Sequence, residues 1–245
     1  YEGYRMQDAY SLRCVAQMMG GTKRAIKEAY ISVTEELNSC SDNPVIYPTG
    51  DGDGVALMGG NFDRAYLCIH MDALCIAMTH LGKLVERRTD RLTNRHFSDY
   101  PPFLVKNPGL NSGFMITQYT SAGLVAEMKV LSHPVSVDSI PTSANQEDPV
   151  SFGFYASRKA CEVAKKLEYL NAIELMTQVQ AMDFMEEGEL KHSPVIQAVY
   201  DLVRAKVPTV EKDRHFYPDI MDINELLVSG KVIDCAEEIS GKLKF

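Results

Sequence analysis

The chain has 245 residues, a length typical of one large domain or two small ones. Its composition, 45% hydrophobic and 24% charged, is that of a globular protein and excludes a disordered chain. The net charge of −8 argues against nucleic-acid binding, because that activity requires a basic surface. The acidic charge instead fits a soluble protein that handles small molecules. No apolar run approaches the ~18–20 residues of a membrane span, so we expect no membrane partner.

The six cysteines indicate a reducing compartment. They form no CxxC pair, and Cys68, Cys75 and Cys161 lie within apolar runs. Cysteines in such runs are typical of buried, reduced thiols. We therefore predict that these three thiols are buried and that the protein is cytoplasmic.

Helical periodicity dominates the first part of the chain. Residues 10–37 read as a helix with a break or bend at Gly20-Gly21. In residues 65–92, apolar side chains recur at alternating spacings of four and three, which places them on one face of a long helix. Between these helices, residues 44–58 contain two short apolar runs separated by turn formers, which predicts a small β-hairpin.

Two further long helices are separated by extended loops. Residues 114–131 lack proline and read as a mostly buried helix, and residues 155–186 form another helical run. The apolar stripe of this last run steps onto Glu174. Residues 93–113 and 133–153 show no periodicity, and loops of about 20 residues in a helical domain are often functional.

Two shorter helices near the C-terminus carry start signals. Ser193-Pro194 supplies an N-cap followed by a proline at the first helical position, and Asp222 with Glu225 matches a capping box. No repeat or linker divides the chain. We predict that residues 1–245 form one all-α domain built as a long-helix bundle.

Several familiar sites are disfavoured by their residues. Residues 51–54 resemble a calcium loop, but Val55 and Phe62 stand where that loop needs oxygen ligands, so we predict a turn. The six histidines lack the spacing of a zinc site, and we expect no metal. Residues 86–91 interleave basic and acidic side chains, which favours a solvated or inter-helix salt-bridge surface over a recognition patch.

Three groups of polar or aromatic residues remain as candidate sites. Gln7, Tyr10 and Arg13 are spaced by three, so they share one helix face, where Arg13 could clamp a carboxylate. The alternative is an exposed N-terminal turn without function. Glu147, within a polar loop, could act as a general base or bind a cationic ring, or it could cap the following helix. Phe62 follows a Gly-Gly-Asn turn.

These residues belong to sequence blocks that resemble one known family. The block QDAYSLRC at residues 7–14, with Gln17 and Gly20, is similar to the QDxYSLRCxPQxxG block of the histidine and phenylalanine ammonia-lyase superfamily. Similar blocks follow in the family's order along the whole chain, namely ELNS at 36–39, DNP at 42–44, GGNF at 59–62, ERR at 86–88, GLNSGFMI at 109–116, HP at 133–134, SANQEDPV at 143–150 and VYDLVR at 199–204.

The resemblance implies a mainly helical fold and a known chemistry. Members of this superfamily are homotetramers whose active sites combine three subunits. They remove ammonia from an α-amino acid without oxidation and leave an α,β-unsaturated acid. Their electrophile, 4-methylidene-imidazol-5-one (MIO), forms autocatalytically from an internal Ala-Ser-Gly. The expected partners are therefore an amino-acid substrate and the other subunits of a homotetramer.

The resemblance also implies roles for individual residues. Arg13 would bind the substrate carboxylate, and Tyr10 and Gln7 would position the electrophile and its amine adduct by hydrogen bonds. Phe62 would line the wall against the substrate. Glu147 would lie near the substrate side chain, where an ionised carboxylate can accept an imidazole N–H. The expected reaction is therefore conversion of L-histidine to urocanate and ammonia.

The match to the family is incomplete. The sequence contains no Ala-Ser-Gly, and its first residue is not methionine, as in a processed or truncated chain. The N-terminal half, which carries the lid tyrosine in the family, has no counterpart here. We expect the chain to correspond to the C-terminal half of such an enzyme, to be inactive alone, and to need the N-terminal half as a partner.

Smaller departures leave the substrate open. Asp63-Arg64 replaces the usual His-Gly after Phe62, and Pro149 replaces the usual His. One alternative is a phenylalanine or tyrosine ammonia-lyase or a 2,3-aminomutase on the same scaffold. Another is a non-catalytic paralogue subunit, against which the joint persistence of the candidate site residues argues, because a drifting site would lose a costly arginine.

Overall fold

The computed structural model of the protein describes residues 6–50, 52–185 and 192–244. The described residues form eight α-helices and one two-stranded antiparallel sheet, which confirms the predicted helical class and the hairpin. The helices are α1 Tyr10–Arg13, α2 Val15–Leu37, α3 Ala65–Thr93, α4 Met115–Leu131, α5 Gly153–Met182, α6 Pro194–Arg204, α7 Tyr217–Val228 and α8 Lys231–Ser240. The strands are β1 Val45–Pro48 and β2 Gly54–Leu57, with Val45 opposite Leu57.

The chain divides into two compact units. The first unit comprises the described residues within Tyr1–Cys14, Gly82–Glu127 and Lys165–Phe245, and the second those within Val15–Leu81 and Met128–Ala164. The candidate residues Gln7, Tyr10 and Arg13 therefore belong to the first unit, whereas Phe62 and Glu147 belong to the second.

The core of the first unit surrounds the C-terminal part of α5. Phe114, Leu104 and Ile223 are completely buried there. Gln180 is also buried, and its side-chain amide donates to the carbonyl oxygens of Leu104 at 3.1 Å and Val210 at 3.0 Å. Since a buried amide without partners would be costly, these bonds fix two loops onto the helix.

An ion pair joins two helices in the same unit. The guanidinium of Arg88 on α3 binds the carboxylate of Glu174 on α5 through two hydrogen bonds, one of them 2.9 Å long. Glu174 is thus the polar step in the apolar stripe of α5. This pair confirms that residues 86–91 include an inter-helix salt bridge.

Asp213 fixes the start of α4. Its carboxylate accepts the backbone N–H groups of Ser112 at 2.7 Å and Gly113 at 2.8 Å. These two bonds lower the pKa of Asp213 below its ordinary value, because they stabilise the charged form. Gly113 has φ +53, and a Cβ there would lie 2.6 Å from the carbonyl oxygen of Phe103, so no larger residue fits.

A buried ion pair organises the second unit. Lys159 Nζ lies 2.8 Å from Asp72 Oδ1, and both side chains are about 95% buried. The other carboxylate oxygen of Asp72 accepts the backbone N–H groups of Val135 and Ser136, each at 2.8 Å, and Lys159 also donates to the carbonyl oxygen of His133 at 2.5 Å. Burial alone would raise the pKa of Asp72, but its hydrogen bonds with Lys159 and Ser136 outweigh burial and lower it. The pair thereby anchors the beginning of the loop that carries Glu147.

The break in the first helical segment lies elsewhere than predicted. The chain leaves helical geometry at Cys14, between α1 and α2, and runs through Gly20-Gly21 as helix. Glycine costs about 1 kcal/mol in a helix interior, which tertiary contacts readily offset. Here the hydroxyl of the buried Thr22 donates to Ala77 O on α3 at 3.4 Å and ties this part of α2 to its neighbour.

The capping-box prediction was wrong for α7. That helix begins at Tyr217, so Asp222 lies inside it, and Pro218 with its restricted φ stands in the first turn. Glu225 binds Lys206 at 2.8 Å instead of a backbone N–H. The start of α6 is confirmed, because the Ser193 hydroxyl accepts the N–H of Ile196.

The cysteines differ from one another. Cys68 and Cys75 are buried as predicted, and burial raises the pKa of the Cys75 thiol to about 11. Cys161 is exposed, which contradicts the prediction, because it lies off the apolar stripe that Ala160 and Val163 form on α5. Asp51 of the predicted turn and Glu186 of the predicted helix end lie outside the described residues.

Among the described residues, one helix meets the length and composition of a membrane span. An 18-residue window of α3 has a mean hydropathy of 1.2, and 44% of that window is buried within the protein. The expectation that no apolar run approaches such a length was therefore wrong by this measure. The core helix of a soluble protein passes the same test.

Candidate active site

Arg13 of the N-terminal helix α1 contacts two other predicted residues, Tyr10 on the same helix and Gln7 before it. Tyr10 and Arg13 are the first and last residues of this four-residue helix, and the preceding Ala9 is extended with ψ 151°. One guanidinium nitrogen of Arg13 donates to Gln7 Oε1 at 2.9 Å, and Arg13 Nε donates to the carbonyl oxygen of Asp8 at 3.1 Å. The guanidinium carbon lies 4.7 Å from the centre of the Tyr10 ring. Gln7 precedes the helix, so the prediction that the three residues share one helix face was wrong. They meet because Arg13 contacts both Gln7 and Tyr10.

Arg13 is held by neutral groups of the described residues. Its two acceptors are neutral oxygens, and no carboxylate of the described residues forms an ion pair with it. Tyr10 is 64% exposed, and Gln7 and Arg13 are exposed as well. A guanidinium that neutral acceptors and an aromatic face hold in place is preorganised to bind a carboxylate through two hydrogen bonds. The three residues lie in an exposed turn.

Phe62 lies in a turn that is held to α2 by an ion pair between Arg64 and Glu36. Phe62 itself is 51% exposed. Next to it, Arg64 has φ 57°, a left-handed conformation that is costly for a residue other than glycine. Its guanidinium lies 2.6 Å from Glu36 Oε1 and donates to Ser41 Oγ at 2.8 Å. These contacts offset the backbone strain at Arg64 and fix the position of this residue, which lies two residues after Phe62.

The residues around Arg64 complete this anchor. Asp63 Oδ1 accepts the N–H of Ala65 at 3.1 Å, so Asp63 caps the start of α3. The Tyr66 hydroxyl donates to Glu36 Oε2 at 2.5 Å, and this hydrogen bond raises the pKa of Tyr66. Asp63-Arg64, which departs from the family's usual His-Gly, thus has a structural function in this chain.

Glu147 lies at the end of a tight turn in the second unit. Thr142 and Glu147 face each other as an isolated antiparallel bridge, with a short 3-10 turn at Ser143–Asn145 between them. The Thr142 hydroxyl donates to Glu147 Oε2 at 2.5 Å. The helix α5 begins six residues later, at Gly153, so Glu147 does not cap it. The carboxylate is exposed.

The Glu147 loop and the Phe62 turn are linked by a hydrogen bond. The hydroxyl of Ser151, just after the Glu147 loop, donates to the carbonyl oxygen of Asp63, next to Phe62. The sequence analysis named Glu147 and Phe62 as candidates but gave no role to Thr142, Ser151 or Glu36. Thr142 contacts Glu147 within one turn, Ser151 binds Asp63, and Glu36 binds Arg64 from α2. Neither helical nor strand periodicity records such contacts.

The residues present do not fit formation of the MIO group within this chain. Three Ser-Gly pairs occur, and the residues before them are Asn111, Val228 and Ile239 rather than alanine. The backbone N–H groups of Ser112 and Gly113 are bound to Asp213. Gly230 and Gly241 flank α8. None of the three pairs is therefore the Ala-Ser-Gly from which this group forms.

The chain matches a known protein family and solved structures. Residues 1–205 match the aromatic amino acid lyase family. Histidine ammonia-lyase from Deinococcus radiodurans is 46% identical over 233 residues, which are 95% of this chain and 43% of that protein. The crystal structure of histidine ammonia-lyase from Trypanosoma cruzi superposes with a TM-score of 0.87 at 44% identity and covers 95% of this chain and 45% of that one.

An aminomutase has the same fold. Tyrosine aminomutase from Streptomyces globisporus superposes with a TM-score of 0.88 at 34% identity, over 99% of this chain and 45% of that one. The chain thus spans less than half the length of the relatives that it matches. Because the family match covers residues 1–205 and the fold agrees throughout, the chain belongs to the aromatic amino acid lyase family.

Proposed function

We propose that this chain supplies the substrate-binding residues of a histidine ammonia-lyase, which converts L-histidine to urocanate and ammonia. The observation that carries the proposal is the state of Arg13. It is held by Gln7 and the Tyr10 ring, and no carboxylate of the described residues neutralises it. The identity of 46% to a histidine ammonia-lyase supports the same reaction class.

In this proposal, Arg13 binds the carboxylate of the amino acid. Two parallel N–H···O bonds fix both the position and the rotation of the substrate, so that its α-amino group and β-carbon have one orientation. Gln7 and Tyr10 lie beside the guanidinium and can hydrogen-bond the amino group. The electrophile expected in the complete enzyme, MIO, would make that amino group a better leaving group and would come from outside this chain.

Glu147 and Phe62 provide the proposed basis for the choice of histidine. The exposed carboxylate of Glu147 can accept the N–H of an imidazole, whereas a phenyl ring offers no donor. Phe62 supplies a flat apolar wall against which an aromatic ring packs. We propose that the complete enzyme is a cytoplasmic homotetramer in which this chain is the C-terminal part.

A second candidate function is a 2,3-aminomutase on the same scaffold. The TM-score of 0.88 to a tyrosine aminomutase favours keeping this alternative. The two reactions differ in product, because a lyase releases an unsaturated acid and ammonia, while a mutase returns the amino group to the β-carbon. Product analysis therefore separates them.

The test is substitution of Glu147 by Gln in the complete enzyme. The variant keeps the shape of the side chain but loses the charge, so we expect kcat/KM for histidine to fall about tenfold or more, as for loss of a hydrogen bond to a charged group. Activity on phenylalanine should change far less. Equal losses on the two substrates would contradict the assignment of histidine. As the matched control, Glu162→Gln on α5 removes an exposed carboxylate that pairs with Arg158 and should leave both activities unchanged.

A further inference from the structure

We propose that Thr142 is a positioning residue for Glu147: its hydroxyl holds one carboxylate oxygen and leaves the other for the substrate side chain. This inference rests on the proposed function, because that function assigns recognition of the substrate ring to Glu147. It is carried by the backbone and side-chain geometry of the turn from Thr142 to Glu147.

The backbone of this turn is strained. Ser143, Ala144 and Asn145 have φ angles of 49°, 56° and 66°, so three consecutive residues with a Cβ adopt the left-handed conformation. In that conformation the Cβ approaches the following carbonyl oxygen, and the strain rises with each residue. Such a run persists only where surrounding bonds over-determine it, and strained backbone of this kind is concentrated at functional sites.

Thr142 supplies the bonds that hold the strained turn. Its backbone N–H donates to Glu147 O at 3.0 Å, and its carbonyl oxygen accepts the N–H groups of Asn145 at 3.0 Å and Glu147 at 3.4 Å. Its hydroxyl adds the 2.5 Å hydrogen bond to Glu147 Oε2. The hydroxyl is the member of this set that a substitution can remove while the backbone bonds stay in place.

The rest of the loop holds the turn in one position. Ser139 Oγ accepts the N–H of Val150 at 2.9 Å and donates to Asp148 O at 3.2 Å, which closes the loop around the turn. The buried carboxylate of Asp72 holds the start of the loop at Val135 and Ser136. Glu147 is therefore presented on a closed segment, where one carboxylate oxygen is occupied and the side chain stays exposed.

This arrangement fits recognition of a ring N–H. A hydroxyl is a neutral donor, so it orients the carboxylate and leaves its negative charge in place. A lysine or arginine in the same position would neutralise that charge. An oriented carboxylate loses little conformational freedom on binding, so a substrate N–H gains more from the hydrogen bond. Without the hydroxyl, Glu147 would sample several rotamers, and the cost would appear in substrate binding.

The experiment compares Thr142→Val, which keeps the β-branched shape without the hydroxyl, with Thr142→Ser, which keeps the hydroxyl. In the complete enzyme we expect Thr142→Val to raise KM for histidine about tenfold, as for loss of a hydrogen bond to a charged group, with little change in kcat. The Thr142→Ser variant should stay close to the wild type. Amide hydrogen exchange on the 245-residue chain should show faster exchange at residues 145–147 in Thr142→Val than in Thr142→Ser.

Two results would overturn the inference. Equal exchange rates in the two variants would show that the hydroxyl does not hold the turn. Faster exchange in Thr142→Val with an unchanged KM for histidine would show that holding the turn does not serve recognition. Failure of the proposed function looks different: the wild-type complete enzyme then does not deaminate histidine, and the exchange comparison still decides whether Thr142 fixes Glu147.

Discussion

Arg13 shows how a single side chain can be prepared for a ligand by its neighbours. The guanidinium is exposed, yet a hydrogen bond to Gln7 Oε1 at 2.9 Å and the Tyr10 ring at 4.7 Å restrict it to one orientation. Both neighbours are neutral, so in the proposed site the charge would be left for the substrate carboxylate. An exposed arginine paired with a carboxylate, such as Arg24 with Glu28, lacks this property.

We predict that Arg13→Ala in the complete enzyme lowers kcat/KM for the amino acid by about 100-fold, because the substrate loses its fixed orientation. Arg13→Lys should recover part of the activity, since it restores the charge but not the paired hydrogen bonds. Steady-state kinetics with histidine measures both effects, and Arg24→Ala on α2 serves as the control. Wild-type kinetics in Arg13→Ala would refute the assigned role.

At the scale of elements, carboxylates that accept backbone N–H groups hold the loops to the helices. Asp72 does this for the loop after α4, and Asp213 does it for the residues just before α4. In both cases the pKa of the carboxyl group is lowered, so the charged form is the one that the folded chain stabilises. The stability of these connections therefore depends on pH.

Asp213 gives the simpler test, because its partners here are backbone N–H groups. Since the folded-state pKa lies below the unfolded value of about 4, the stabilisation is complete above that value and is lost as the pH falls through the folded-state pKa. We expect Asp213→Asn to lower the midpoint of urea unfolding at neutral pH. The difference from the wild type should shrink as the pH falls below about 4.

The control for this series is Asp201→Asn, whose carboxylate accepts a hydrogen bond from Gln197 on the same exposed helix surface. It should change the midpoint little at any pH. A constant difference between Asp213→Asn and the wild type down to low pH would show that the ionised carboxylate is not what stabilises the start of α4.

For the whole molecule, sequence patterns predicted elements better than contacts between them. The periodicity of residues 65–92 predicted α3 because burial on one face repeats at helical spacing, and Ser193-Pro194 predicted the start of α6 because capping is local. The predicted bend at Gly20-Gly21 failed because contacts between helices outweigh the low helix propensity of glycine. Cys161 failed because an apolar neighbourhood in sequence does not state which helix face is buried.

The candidate site divides in the same way. The sequence predicted Gln7, Tyr10 and Arg13 on one helix face, whereas Gln7 precedes α1 and contacts Arg13 from outside the helix. The bond between Thr142 and Glu147 could not be predicted, because it depends on a left-handed turn in a segment without periodicity. Residues of an aperiodic loop acquire a role only through the fold that closes the loop.

For the whole molecule we also predict which polypeptide segments the active enzyme contains. We expect a working enzyme to contain, in addition to this sequence, a segment with Ala-Ser-Gly, and its measured mass should lie two water molecules below the value calculated from the gene. Intact-mass spectrometry of the protein as isolated from its source tests this. Isolation of this chain without any companion segment would instead favour an inactive fragment or a paralogue.

Two glycines of the block at residues 109–116 differ in what a mutational survey would find. A side chain at Gly113 would meet the carbonyl oxygen of Phe103 at 2.6 Å and Val105 Cβ at 2.8 Å, whereas one at Gly109 would meet no atom within 4 Å. Gly109 is constrained by its φ of +96° alone. In saturation mutagenesis, position 113 should therefore not tolerate even alanine. Position 109 should tolerate those residues that adopt a positive φ angle. Two glycines of the same sequence block are thus required for different reasons: Gly113 by close packing and Gly109 by its backbone angle alone.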